Sequence, residues 1–129
     1  MDKVAVIIYE SREPMIDKIS TQLKHTNFNL DITTARNLRV FLDLINSHNP
    51  YLIVMNSSIA GLGEVLLGLR EKHPLHAPLI LIGELEREED FRLSIQNGAF
   101  DYISVQNIYR LANSATNAIR YELLKREKT

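Results

Sequence analysis

The chain contains no cysteine and no tryptophan in its 129 residues. Without cysteine there are no disulfides, no thiol nucleophile and no thiolate metal centre, a composition compatible with a reducing cytosol. An excess of either charge is also missing: 15 Lys and Arg against 16 Asp and Glu leave a net charge of -1. A chain with no basic excess has no electrostatic footprint for nucleic acid or for an anionic membrane. Long apolar runs are absent too. Those present are strand-sized, far short of the ~20 residues that cross a bilayer. Met1-Asp2-Lys3 leads straight into such a strand-like run, too short for a signal peptide. What remains is an ordinary globular composition, 45% hydrophobic and 24% charged, in a length that can bury a sizeable core. We therefore expect one cytoplasmic domain over residues 1–129, with neither nucleic acid nor membrane as partner.

The most informative stretch runs from Pro50 to Gly61. Leu52-Ile53-Val54-Met55 is an unbroken apolar run, opened by proline and closed by Asn56-Ser57-Ser58 and glycine. It reads as a central strand buried on both faces, with a loop at its carboxyl end. Val4-Ala5-Val6-Ile7-Ile8 and Pro78-Leu79-Ile80-Leu81-Ile82 read the same way. Phe28-Asn29-Leu30-Asp31-Ile32 alternates, which predicts a half-exposed edge strand, and Tyr102-Ile103-Ser104-Val105 predicts a fifth strand.

Helical spacing fills the gaps. Met15, Ile16, Ile19 and Leu23 predict a first helix, capped by Ser11 with Glu13 and Pro14 in its first turn. Leu38, Phe41, Leu42 and Ile45 predict a second, capped by Asn37 and stopped before Pro50. Leu62, Val65, Leu66 and Leu69 predict a third. Glu86, Glu88, Glu89 and Asp90 suit the positive end of a fourth, with Phe91 and Ile95 facing inward and Gly98 in a left-handed cap. Ile108, Leu111, Ala115, Ile119 and Leu123 predict a long last helix. Its periodic tail ends either as a frayed terminus or as the start of a coiled-coil seam at Leu123 and Leu124. Strands alternating with helices imply a parallel α/β sheet covered on both faces.

Several chemical motifs fail on spacing. Gly61-Leu62-Gly63 with Gly68 follows the wrong strand for a dinucleotide fingerprint, and its third glycine comes late. His73 and His76 are separated by Pro74 and lack a third ligand, so loop histidines are expected there. Ser57 and Ser58 have no activating base and read as loop residues.

Three features together resemble the receiver domain of two-component signalling. Asn97-Gly98-Ala99-Phe100-Asp101-Tyr102-Ile103 is similar to the receiver signature Gly-Ala-Asp-Asp-Tyr-Leu. Asn49-Pro50-Tyr51-Leu52-Ile53-Val54-Met55-Asn56 is similar to its Pro-Asp-Leu-Ile-Leu-Leu-Asp run. The order of all ten elements matches as well. The resemblance implies a flavodoxin-like fold, with a five-stranded parallel sheet of order 2-1-3-4-5 and five helices on both faces. It further implies an aspartate that accepts a phosphoryl group from a histidine kinase, an acidic pair for Mg²⁺, a hydroxyl after the fourth strand, a lysine after the fifth, and a switch aromatic.

The chain departs from that pattern at nearly every chemical position. Asn56 stands at the acceptor aspartate, and a carboxamide has no anionic oxygen to attack phosphorus. Tyr9 and Glu10 stand at the acidic pair, Gly83 at the hydroxyl and Val105 at the lysine. Tyr102 matches the switch aromatic and is expected as a tyrosine with a half-buried ring and a wet hydroxyl. Glu10 and Glu84 are the one candidate pair for a weakly held divalent cation, against the simpler expectation of two solvated acids.

The resulting expectation is a degenerate receiver. It would be no enzyme, carry no cofactor, and act through contact with a histidine kinase or an attached sensory or output domain. The face formed by the fourth helix, fifth strand and last helix is expected to serve such contacts, homodimerisation included. The alternative is a flavodoxin-like domain that binds a small ligand at the carboxyl ends of the strands.

Overall fold

Residues 3–58, 77–84 and 87–128 are described by the computed structural model. Leu52–Asn56 forms β3, buried along its whole length, as an apolar run with no polar alternation requires. On one side it pairs with β1, Val4–Tyr9, and on the other with β4, Leu79–Gly83, both in parallel. β2, Leu30–Ala35, closes the β1 edge, and β5, Asp101–Ser104, closes the β4 edge. The order is β2-β1-β3-β4-β5, that of the flavodoxin-like fold. β2 is only partly buried, as its alternation predicts, but it begins at Leu30 and not at Phe28.

Four helices lie among the described residues: α1, Glu13–Leu23; α2, Leu38–His48; α3, Glu88–Gln96; and α4, Leu111–Glu127. The helix expected from Leu62 to Leu69 lies outside the described residues, as do Gly61, Gly63, Gly68, His73, His76 and Glu86. A 3-10 turn, Val105–Arg110, joins β5 to α4. No helix among the described residues is long and apolar enough to cross a membrane.

Because side chains alternate across a strand, the sheet builds two cores. Val4, Val6, Ile8, Leu52, Val54, Ile80, Ile82 and Ile103 face Met15, Ile19 and Leu23 of α1 and Leu111, Ala115, Ala118 and Ile119 of α4. Ile7, Tyr9, Ile53, Met55, Leu79, Leu81 and Tyr102 face Phe41 and Ile45 of α2. Tyr9 stacks on Phe41 with ring centroids 4.5 Å apart. It therefore belongs to this second core, and the position matched to the acidic pair supplies no rim group there.

Several local expectations need correction. Ser11 does not cap α1. Arg12 occupies that position without a side-chain cap, and the N–H groups of both residues are bound by Glu10. Leu38 and Leu42 are exposed, leaving Phe41 and Ile45 as the buried stripe of α2. Phe91 and Ile95 also point outward, and Ser94 is the buried residue of α3, its hydroxyl bonded back to the Asp90 carbonyl at 2.7 Å. Val105 lies past the end of β5, in the 3-10 turn. The Asn37 side chain does cap α2, accepting from the Val40 N–H at 3.0 Å. Asn49 ends that helix in the left-handed region at φ 46°, which asparagine tolerates, and Gly98 takes φ 100° after α3.

The end of α4 is tied to the start of β3. Arg126 donates to the Pro50 carbonyl at 2.8 Å and stacks over the Tyr51 ring at 3.5 Å. It also reaches the fully buried Glu122 at 2.9 Å. Leu123 packs on the first core while Leu124 is exposed. The two leucines thus face different environments. Phe41→Ala should cost about 3–5 kcal/mol of stability, read as a lowered urea midpoint, because it empties the centre of the second core.

Candidate functional site

The carboxyl ends of β1, β3 and β4 converge at Glu10, Asn56 and Glu84: Glu10 bonds Asn56 directly and is joined to Glu84 through Arg12. Glu10 follows directly on β1 and is 2% exposed. Its Oε2 accepts the N–H groups of Ser11 at 2.7 Å and Arg12 at 3.0 Å. Its Oε1 accepts Asn56 Nδ2 at 2.9 Å and Arg12 Nη2 at 3.1 Å. Arg12 Nη1 then crosses to Glu84 Oε1 at 2.7 Å. A buried carboxylate must be paired or become neutral. Burial pushes the Glu10 carboxyl up, but the Arg12 hydrogen bonds and charge, with the Ser11 N–H, outweigh it and hold the group below its ordinary 4.5. Arg12 is raised in turn by its bonds to Glu10 and Glu84.

Asn56 is 8% exposed and used on both sides. Its Nδ2 donates to Glu10, and its Oδ1 accepts from Ser58 N–H at 2.8 Å and Ser58 Oγ at 2.7 Å. Glu10 as a carboxylate can only accept, and a backbone N–H can only donate, so the network calls for a carboxamide at this position. An aspartate would set two carboxylates at contact distance. Ser58 thus acts as the expected loop residue that satisfies a neighbour.

Glu10 and Glu84 are brought together, as candidates for a cation site should be, but a guanidinium already lies between them. Both Glu10 oxygens, the Asn56 oxygen and one Glu84 oxygen are engaged by groups of the chain itself. Mg²⁺ prefers near-octahedral oxygen ligands and keeps several waters. The residues present do not fit it. Among the described residues no cluster of three or more metal-ligating side chains occurs.

At the end of β4, Gly83 lies against Tyr102. A methyl group at residue 83 would overlap the Tyr102 hydroxyl and ring. Tyr102 is 7% exposed and hydrogen-bonded to the Ser57 side chain. The expected half-buried ring with a wet hydroxyl is therefore wrong, because the missing side chain of Gly83 leaves room for the whole ring. Burial raises the Tyr102 phenol above its ordinary value, against the Ser57 bond. Val105 packs against the first core and contributes no cation to the site.

Sequence reasoning missed Arg12. The signal was present: one acid at the end of β1 followed two residues later by a cation, in a loop longer than its type requires. Arg36 holds the same loop, donating to the Ser11 carbonyl at 3.2 Å and pairing with Glu13.

No family model and no curated protein sequence matches the chain. Solved structures do. A signal receiver domain from Vibrio parahaemolyticus, described as that of a Luxo repressor protein, superposes with a TM-score of 0.81 at 19% identity, covering 96% of this chain and 95% of that one. The receiver domain of the Francisella response regulator 1452 gives 0.78 at 21% identity, over 92% and 98% of the two chains. The orphan response regulator HP1043 of H. pylori gives 0.74 at 17% identity, over 91% and 97%. The chain has the receiver fold. In this receiver-fold chain the strand ends carry an internal ion-pair network at the place where the resemblance implies phosphoryl chemistry.

Arg12→Ala should lower stability at neutral pH by about 1–3 kcal/mol, because it strips a buried carboxylate of its cation. The pH dependence has a definite sign. Glu10 has a depressed pKa, so its contribution is complete above the unfolded value near 4.5 and fades as pH falls through the lower folded value. Urea midpoints measured from neutral pH downward should show this acid loss in the wild type and a smaller one in Arg12→Ala.

Proposed function

We propose that this chain is a receiver-type signalling module that takes no phosphoryl group and acts by protein contact. The observation that carries the reading is Asn56, a carboxamide bonded on both sides at the acceptor position. Phosphoryl transfer to a side chain needs an anionic nucleophile and cations that neutralise the developing charge. Here the nucleophile is absent, the only cation among Glu10, Asn56 and Glu84 is committed to two carboxylates, and Gly83 and Val105 offer neither hydroxyl nor ammonium. The receiver fold supports a place in two-component signalling. Its counterpart is then a histidine kinase or an attached sensory or output domain, met on the face of α3, β5 and α4, where a homodimer would also form. Such a module is no enzyme and works in the cytoplasm.

Intact-mass measurement after incubation with acetyl phosphate and Mg²⁺ should return the unmodified mass. A stable adduct of one phosphoryl group on the wild-type chain overturns the proposal. Asn56→Asp should also stay at background labelling, and it should lose about 1–3 kcal/mol at neutral pH from the unpaired acceptors it creates against Glu10.

A further inference from the structure

Asn97 is the only asparagine of the chain followed by glycine, and it stands at the exposed end of α3. We propose that Asn97 is a site of non-enzymatic deamidation in the folded protein, where the end of α3 becomes an aspartyl or isoaspartyl turn. This site does not depend on the contact reading above.

The step needs only water and a mild base. The Gly98 nitrogen gives up its proton and attacks Asn97 Cγ. The side-chain nitrogen takes up a proton and leaves as ammonia, and a cyclic imide remains. Water then opens the imide at one of its two carbonyls. Opening at the side-chain carbonyl gives an aspartyl residue. Opening at the backbone carbonyl gives an isoaspartyl residue, in which the main chain runs through the side chain. One water is consumed, one ammonia is released, and nothing is oxidised or reduced. Asparagine is thermolabile in this way, and glycine is the least hindered neighbour because it has no Cβ.

The structure decides where the step can occur without unfolding the chain. The Asn97 side chain makes no hydrogen bond among the described residues. The attacking nitrogen is held: the Gly98 N–H donates to the Ile95 carbonyl at 3.0 Å, beside the Ala99 N–H on the Ser94 carbonyl at 3.0 Å. With Asn97 at φ -83° and ψ 2°, this cap has to open before the nitrogen can turn onto the side chain. That opening costs little. Ile95, Gln96, Asn97 and Gly98 are all exposed, and Ser94 is the buried residue of α3. The last turn therefore frays with little apolar surface lost to water.

Asn56 is the opposite case. Glu10 and Ser58 hold both ends of its amide, and the Ser57 N–H donates to the Ile82 carbonyl at 2.9 Å. Freeing that nitrogen means separating β3 from β4. Asn49 precedes proline, which has no N–H to release. The remaining asparagines precede residues that carry a side chain.

The product disturbs its surroundings. A carboxylate at position 97 lies at the negative end of α3, whose last turn holds no basic residue. The isoaspartyl form also lengthens the backbone next to Gly98, which turns at φ 100°. That turn leads to the Phe100 N–H, which donates to the Leu79 carbonyl at 2.7 Å where β5 begins.

Incubation of the folded chain at mildly alkaline pH, followed by peptide mapping with fragmentation, tests this. Asn97 should be converted while Asn56 stays intact, and isoaspartyl methyltransferase should label the product. Asn97→Gln should remove the label. The rate should stay within about threefold in Phe41→Ala, because that variant loses global stability and leaves the opening of the cap unchanged. Should Phe41→Ala not fold by circular dichroism, the wild type in urea below its transition gives the same comparison. A larger rise with loss of global stability overturns the proposal. So does earlier conversion at Asn56, or an intact Asn97 over a period in which a synthetic peptide of residues 93–104 is converted.

Discussion

A single buried carboxylate governs the carboxyl end of this sheet. Glu10 is carried inward by the strand that precedes it, and water does not reach it. Something must compensate for the lost solvation. The chain does so with its own atoms: two N–H groups that open the path into α1, the guanidinium of Arg12 and the amide of Asn56. Each partner is thereby constrained. The entry to α1, the tip of β3 and Glu84 after β4 are linked in one network because one buried negative charge has to be satisfied.

That constraint bears on the proposed lack of phosphoryl transfer. Phosphoryl transfer needs cations that are able to neutralise the charge as it develops. Here the guanidinium of Arg12 is bonded to two carboxylates at once. A cation already shared by two acids has little left to offer an incoming phosphoryl group. The hydroxyl position is closed in a similar way, since the ring of Tyr102 fills the volume that Gly83 leaves. Polar atoms that might have served a ligand are thus engaged by neighbouring side chains.

The fold was legible in the sequence because it is written in long patterns. Unbroken apolar runs gave β1, β3 and β4, alternation gave the β2 edge, and helical spacing gave α1 and α4. The errors fall where one residue has two roles. Phe91 and Ile95 keep helical spacing yet face outward, because Ser94 can turn its hydroxyl back to the helix and present a small inner face. Asn56, Gly83 and Val105 could each be recognised as departures from a pattern, but the contacts they make in its place could not. Arg12 reaches Glu84 across 72 positions of sequence, and no local periodicity encodes that contact. The inward ring of Tyr102 is likewise a property of the pair it makes with Gly83, not of either residue alone.

That pair also bears on how the chain can change. Residues 83 and 102 compete for one volume, so their substitutions are not independent. A hydroxyl-bearing side chain does not fit at residue 83 while the tyrosine ring remains in place. Removing the ring first leaves a void beside β4. Either single step passes through a less stable protein, and only the two changes together escape it. Each of the two residues therefore sets what the other can be, and the shape of this strand end is a property of the pair.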